Sequence, residues 1–204
     1  MHTPHNDQRG DTMQTLESMI KNLEKIALEG GATSIKRIKP QDVVVAQWVR
    51  SKCETGCRHF GKRFHCPPYS PTPEETRKVL EDYSEALLVE FANLERDKLR
   101  EAKGKPMIHT TLYNMEIAAF LKGYQKALVY EAGPCPLCKK CPAEELDHLT
   151  VFDKKLCKHP KEARPAMEAA GIDVYTTVRR AGFEIHVVTD RSELFKVFGL
   201  LLLE

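Results

Sequence analysis

The sequence predicts an α/β fold: a single small sheet of about four strands flanked by helices, with two cysteine-rich loops at one edge. Two observations lead there. Short runs of branched and aromatic residues, which favour strands, alternate with segments whose apolar residues recur at three- and four-residue spacing, which favours helices. The seven cysteines fall in two clusters, each just after a predicted strand and just before a predicted helix.

Residues 1–11 read as a disordered leader and residues 12–204 as one domain. In the first helix, Leu16, Met19, Ile20, Leu23, Ile26 and Ala27 share one face, Asp11 and Gln14 resemble a capping box, and Gly30-Gly31 closes it. Residues 43–49, rich in valine, predict a strand that runs into the first cysteine group. Thr72-Pro73-Glu74-Glu75 combines a cap residue, proline at the first helical position and glutamate three residues past the cap. It predicts a helix to about Tyr83.

Residues 86–91 predict a second strand. The charged residues 93–105 read as a solvated connection, residues 110–122 as a helix and residues 126–131 as a third strand. After the second cysteine group, Pro165 opens a short helix closed by Gly171, and residues 173–180 have helical character. Residues 183–188 predict a fourth strand, and Asp190 and Glu193 cap a last helix. The apolar run Gly199-Leu200-Leu201-Leu202-Leu203 then reads as the end of a buried helix or as a subunit contact. If the first and third strands are parallel, both cysteine groups emerge at one carboxyl edge, where α/β proteins usually place their sites.

Composition narrows the function classes. A formal net charge of +2 gives no electrostatic reason to expect nucleic acid or an anionic membrane as partner. No apolar run approaches the roughly 20 residues that cross a bilayer, and residues 1–14 lack the apolar core of a signal peptide. Seven cysteines cannot all pair as disulfides. A cytoplasmic protein with reduced thiols is the expectation, and there spaced cysteines serve metals or catalysis. A Gly-rich phosphate loop, a G-x-S-x-G elbow and an H-E-x-x-H helix are all missing from the sequence, which sets aside the commonest nucleotide-dependent and hydrolase readings.

The second cysteine group, Gly133-Pro134-Cys135-Pro136-Leu137-Cys138-Lys139-Lys140-Cys141-Pro142 with Cys157 further on, carries the strongest chemical signal. Three thiolates at C-x2-C-x2-C spacing reach three corners of a 4Fe–4S cluster from one loop, and a distant cysteine supplies the fourth. Structural zinc more typically uses two separated C-x2-C pairs, and it stands as the alternative. The first group offers Cys53, Cys57 and Cys66 at C-x3-C-x8-C spacing. It suits a second cluster with one open iron, a zinc site completed by His59 or His65, or a set of ligands shared with the second group. Buried unligated cysteines are the bland alternative.

The stretches from Cys53 to Pro71, from Gly133 to Cys141 and from Cys157 to Val174 resemble the prokaryotic family catalogued as domain of unknown function 2284. The resemblance runs from about residue 35 to about residue 200, and all seven cysteines lie on its motifs. It implies a metal and a prokaryotic host, and it implies no reaction.

Arg164 and His159, close after Cys157, are candidate neighbours of a cluster, where positive donors favour its reduced state or hold an anion. The alternative for Arg164 is a helix cap or a pair with Glu168. Arg58, Lys62 and Arg63 form a basic loop, read either as a solvated face or as an anion receiver beside an open iron. His109 and His186 read as ordinary core or surface histidines, and Trp48 and Tyr124 as core.

Three functions compete: an electron-transfer protein with a redox partner, an enzyme binding substrate at the open iron, and a zinc-binding structural or metal-handling module.

Overall fold

The computed structural model describes residues 8–96, 104–146 and 153–204, and of residues 8–15, 104, 105 and 154 the backbone alone. Residues 1–7 of the expected leader, and most of the connection at 93–105, lie outside the described residues. Four strands form one antiparallel sheet in the order β1 (Ser34–Ile38), β2 (Glu85–Leu94), β4 (Phe195–Leu203), β3 (Leu128–Tyr130). Among the described residues, five helices surround it: α1 (Gln8–Glu29), α2 (Gln47–Gly56), α3 (Pro73–Glu81), α4 (Gly104–Leu121) and α5 (Val174–Arg180). The α/β architecture with a single four-stranded sheet is therefore as predicted.

The two central strands explain the packing. Along β2, Leu87, Val89 and Phe91 face a core made with α1 and α4, whereas Ala86 and Leu88 face a second core. On β4 the same alternation sends Leu201 and Leu203 to the first core and Phe198, Leu200 and Leu202 to the second. Leu200 to Leu203 are each 0% exposed. A strand buried on both faces reads as an unbroken apolar run, which periodicity alone cannot tell from a buried helix. This is why residues 199–203 form a strand where the sequence predicts the end of a helix.

The Asp190/Glu193 signal is real but local. Glu193 Oε1 accepts from the Thr189 and Asp190 amides at 3.0 and 2.7 Å, closing a turn that feeds β4 rather than a helix. Residues 183–188 form no strand. Besides β4, the sequence misses β1, whose Lys36 and Arg37 mask its apolar positions. Both residues are used at the sheet edge: Lys36 Nζ donates to the Ala181 and Gly182 carbonyls, and Arg37 pairs with Glu85.

Residues 43–49 also depart from prediction. Only Val45 makes a bridge, to Ile172, and the chain enters α2 at Gln47. The Val44 carbonyl and amide are taken up by the Asp173 amide and by Thr177 Oγ1, so this extended segment pairs with the turn at 171–173 and the first turn of α5 instead of joining the sheet. Helix α1 starts at Gln8, ahead of the expected box at Asp11. Helix α3 keeps its predicted capping box, with Thr72 and Glu75 exchanging hydrogen bonds.

The parallel first and third strands do not occur, because residues 43–49 stay outside the sheet and every strand pair in it is antiparallel. The two cysteine loops are brought together instead by contacts between the loops themselves.

The α4 helix lies close on the sheet because Gly199 has no side chain: a Cβ there would fall inside the Leu112 side chain. Both residues sit in a core without free space. We expect Gly199→Ala to lower unfolding free energy by about 1–3 kcal/mol, the usual cost of overpacking, measured by urea denaturation. An unchanged midpoint would show that α4 can shift freely.

Candidate metal centre

The cysteine-bearing segments have little regular structure, so their buried polar groups need side-chain partners. Arg50 provides several. Its side chain is buried on α2, and Nη1 donates to Ser70 Oγ (3.2 Å), the Pro71 carbonyl (3.2 Å) and the Ala169 carbonyl (3.4 Å). Ser70 Oγ donates to the same Ala169 carbonyl at 2.6 Å, and Thr76 Oγ1 to the Ala170 carbonyl at 2.7 Å. Helix α2, the loop after Cys66 and the 168–170 turn are thereby pinned together.

Cys53 lies three residues along α2 from Arg50, and Cys57 caps its end. Cys57 is exposed, Cys53 half-buried and Cys66 buried. Burial pushes the Cys66 thiol up to about 12, with the Cys57 sulfur adding to the rise and Arg63 opposing it. Burial also raises Cys53.

The second group follows β3. Gly133 turns the chain at φ 78°, a left-handed conformation that glycine adopts without strain. Cys135, Cys138, Cys141 and Cys157 then line a single cleft together with Arg63, Phe64, His65 and His159. Phe64, only 1% exposed, belongs to the first group's loop yet packs with Cys141, Ala143 and Cys157. Arg63 Nη1 donates to the Cys135 and Cys138 carbonyls at 2.9 and 3.3 Å. One loop therefore forms a wall of the other's cleft. Burial pushes Cys135 up to about 11 against the Leu137 amide and Arg63. It raises Cys138 as well, there against Lys158 and Arg63.

Among the described residues, no three His, Cys, Asp or Glu side chains converge into a group that holds a single metal ion. The four second-group thiols share a cleft without closing into a mononuclear cage.

Other sequence candidates are redistributed. His159 lines the cleft and lies 3.7 Å from Glu162. Arg164 pairs with neither Glu168 nor a helix end. It grips Glu116, with Nε 3.1 and 3.0 Å from the two carboxylate oxygens, while Glu116 Oε2 accepts from the Val129 amide. This clamps the post-Cys157 segment to α4 and β3. Of the basic loop, Lys62 and Arg58 are exposed, whereas Arg63 is spent on the backbone of the second group. His109 is buried against Glu131, Nδ1 to Oε1 2.7 Å, and burial raises the Glu131 carboxyl. His186 is exposed, 3.3 Å from Glu193. Trp48 is 48% exposed, against the core position expected of it. Tyr124 is buried in the first core.

Sequence reasoning missed Arg50, Glu116 and Phe64, and also Glu168, whose charge acts on Cys53. None stands at a ligand spacing.

A family model described as Predicted metal-binding protein (DUF2284) matches residues 36–203. No curated protein and no solved structure matches the chain. No helix among the described residues is long and apolar enough to cross a membrane.

Two outcomes are expected here. Arg50→Met takes the Arg50 donor from the Pro71 carbonyl and leaves the Ala169 carbonyl with Ser70 Oγ alone, and should cost about 1–3 kcal/mol of stability, read by thermal denaturation. The raised thiols of the metal-free chain are protonated at neutral pH, so ligation must release protons and affinity must rise with pH. Zinc titrated into metal-free chain against a chromophoric chelator should bind more tightly at about pH 8.5 than at about pH 6.5. An affinity independent of pH would show that these thiols are not the ligands.

Proposed function

This chain belongs to the family of predicted metal-binding proteins designated domain of unknown function 2284, and we propose that its metal is an iron–sulfur cluster used in electron transfer. The observation that carries the reading is the shared cleft of Cys135, Cys138, Cys141 and Cys157, since three thiols at C-x2-C-x2-C spacing and a fourth from afar suit a cubane. A mononuclear zinc site needs four ligands within about 2.3 Å of one centre, whereas a cluster carries its own sulfides and holds its thiolates further apart.

When bound, such a cluster supplies one-electron oxidation and reduction, and the chain's residues set how easily it does so. Phe64, Ala143 and Leu146 form the apolar cluster around Cys141 and Cys157, which limits water at the sulfurs. Arg63 holds the two loop carbonyls, and its charge, with that of Lys158, acts on Cys138. Both cations favour the more negative, reduced state. A redox partner protein docks where the cleft meets solvent, around His159 and Lys158.

A second reading has its own support. Cys53 and Cys57 line a cavity of about 640 Å³. Cys66 is not on the lining, but its thiol feels those of Cys57 and Cys53; a cluster held by the three would keep one iron free of protein ligands, able to bind and polarise a substrate beside the cavity.

Anaerobically purified protein should contain about four irons and four sulfides per chain with one cluster, or about eight of each with two. Zinc without sulfide would overturn the iron–sulfur reading and leave a structural or metal-handling module. Cys135→Ser and Cys157→Ser should each lose one cluster's iron and lower the melting temperature, because ligation is coupled to folding. Unchanged metal content in both variants would remove the second group from the site.

A further inference from the structure

The cavity beside Cys53 and Cys57 has the build of a ligand site. Its volume of about 640 Å³ falls within the roughly 300–1,000 Å³ of small-molecule pockets. Val49, Ile172, Val174, Ile185, Val197 and Phe198 supply apolar walls. They come from α2, the 171–174 turn into α5, the 183–188 segment and β4, and Ala132, Gly133 and Glu168 complete the lining. One of these segments carries Cys53 and Cys57.

The charges that line it can be counted by what they already do. Asp173 caps α5, accepting from the Thr176 amide at 3.0 Å and from Thr176 Oγ1 at 2.6 Å. Lys196 pairs with Glu90 at 2.9 Å. Arg179 donates one bond to the Ile185 carbonyl and lies 5.9 Å from the Tyr175 ring, and Lys52 stands 5.2 Å from the Trp48 ring. Neither Arg179 nor Lys52 has a carboxylate partner among the described residues. Glu168, the other lining acid, has its carboxyl raised by burial and hydrogen-bonded to its own backbone. Three lining cations, Lys52, Arg179 and Lys196, against the two acids Asp173 and Glu168 leave the lining net positive, over walls that are mainly hydrocarbon.

We propose that this cavity binds a small organic carboxylate with an apolar body, its carboxylate held by Arg179 and Lys52 and its body against Ile172, Val197 and Phe198. An inorganic anion gains nothing from the apolar walls, and a neutral hydrocarbon leaves both cations unmatched. A guanidinium is suited to a carboxylate because its donors are set in a planar fork. Trp48 and Tyr175, each beside one of the two cations, add ring faces for a flat ligand. The assignment deepens the second reading above, in which the first cysteine group offers an open iron, by naming what occupies the space in front of it.

The test is calorimetric titration of the anaerobically purified, iron-containing full chain with phenylacetate, its neutral amide phenylacetamide and inorganic phosphate. The absorption spectrum is followed in the same samples. Phenylacetate is expected to bind saturably at one site per chain and to perturb the cluster absorption, with the amide weaker by at least about tenfold. Arg179→Glu and Lys52→Glu, both at exposed positions, are each expected to weaken phenylacetate by about tenfold or more, with iron content unchanged.

No saturable binding of phenylacetate, hexanoate or indole-3-acetate up to about 10 mM in iron-loaded protein overturns the proposal and leaves the cluster reading standing. So does equal affinity in both charge-reversal variants. Phosphate binding as tightly as phenylacetate overturns the apolar part of the assignment. Charge-dependent carboxylate binding in protein that proves free of iron upholds the cavity assignment and sinks the cluster reading instead.

Discussion

The buried guanidinium of Arg50 is the fixed point of the cysteine-bearing half of this protein. It joins a helix, a loop and a turn far apart in sequence through hydrogen bonds to Ser70, Pro71 and Ala169. A buried charge is tolerated only when it is well hydrogen-bonded, so the arrangement is held in one geometry. The first cysteine group stands on that helix, and the 168–170 turn borders the same cavity as Cys53 and Cys57. If Arg50 moved, the floor of the candidate site would move with it.

Arg63 and Phe64 do for the two cysteine groups what Arg50 does for the helix and turn. Arg63 satisfies carbonyls in a loop that has no ladder or helix to do so, and Phe64 brings hydrocarbon to the thiols of that same loop. The groups are therefore one structural unit even though about 70 residues separate them. The unit has two environments. The four-thiol cleft is crowded and mainly apolar, as the proposed electron-transfer centre would require. The Cys53–Cys57 side opens to a cavity with uncommitted cations, fitting a centre that meets a ligand.

The sheet supports this division without contributing a ligand. Strands β2 and β4, buried on both faces, hold α1 and α4 on one side and the α3, α5 and turn segments on the other. The Glu116–Arg164 clamp then anchors the chain just beyond Cys157 to α4 and β3. The rigid centre thus fixes loops that lack regular structure of their own, as is common where function sits on loops over a stable scaffold.

The sequence by itself determined the α/β class, the α3 capping box, the β2 and β3 strands and the spacing that makes the cysteines candidate ligands. These rest on interactions within a few residues, which leave a local pattern. Tertiary structure alone decided that residues 199–203 are a central strand, that β1 pairs at the edge despite its charges, and that residues 43–46 bridge to a loop. In each case a partner distant in the chain satisfies the backbone or buries the side chain, and no local pattern records it. The same holds for Arg50, Arg63 and Phe64, whose roles depend on groups about 20 to 120 residues away. The ligand spacing was legible because covalent chain length sets it. The cavity was not, because its walls come from separate segments that only the fold brings together.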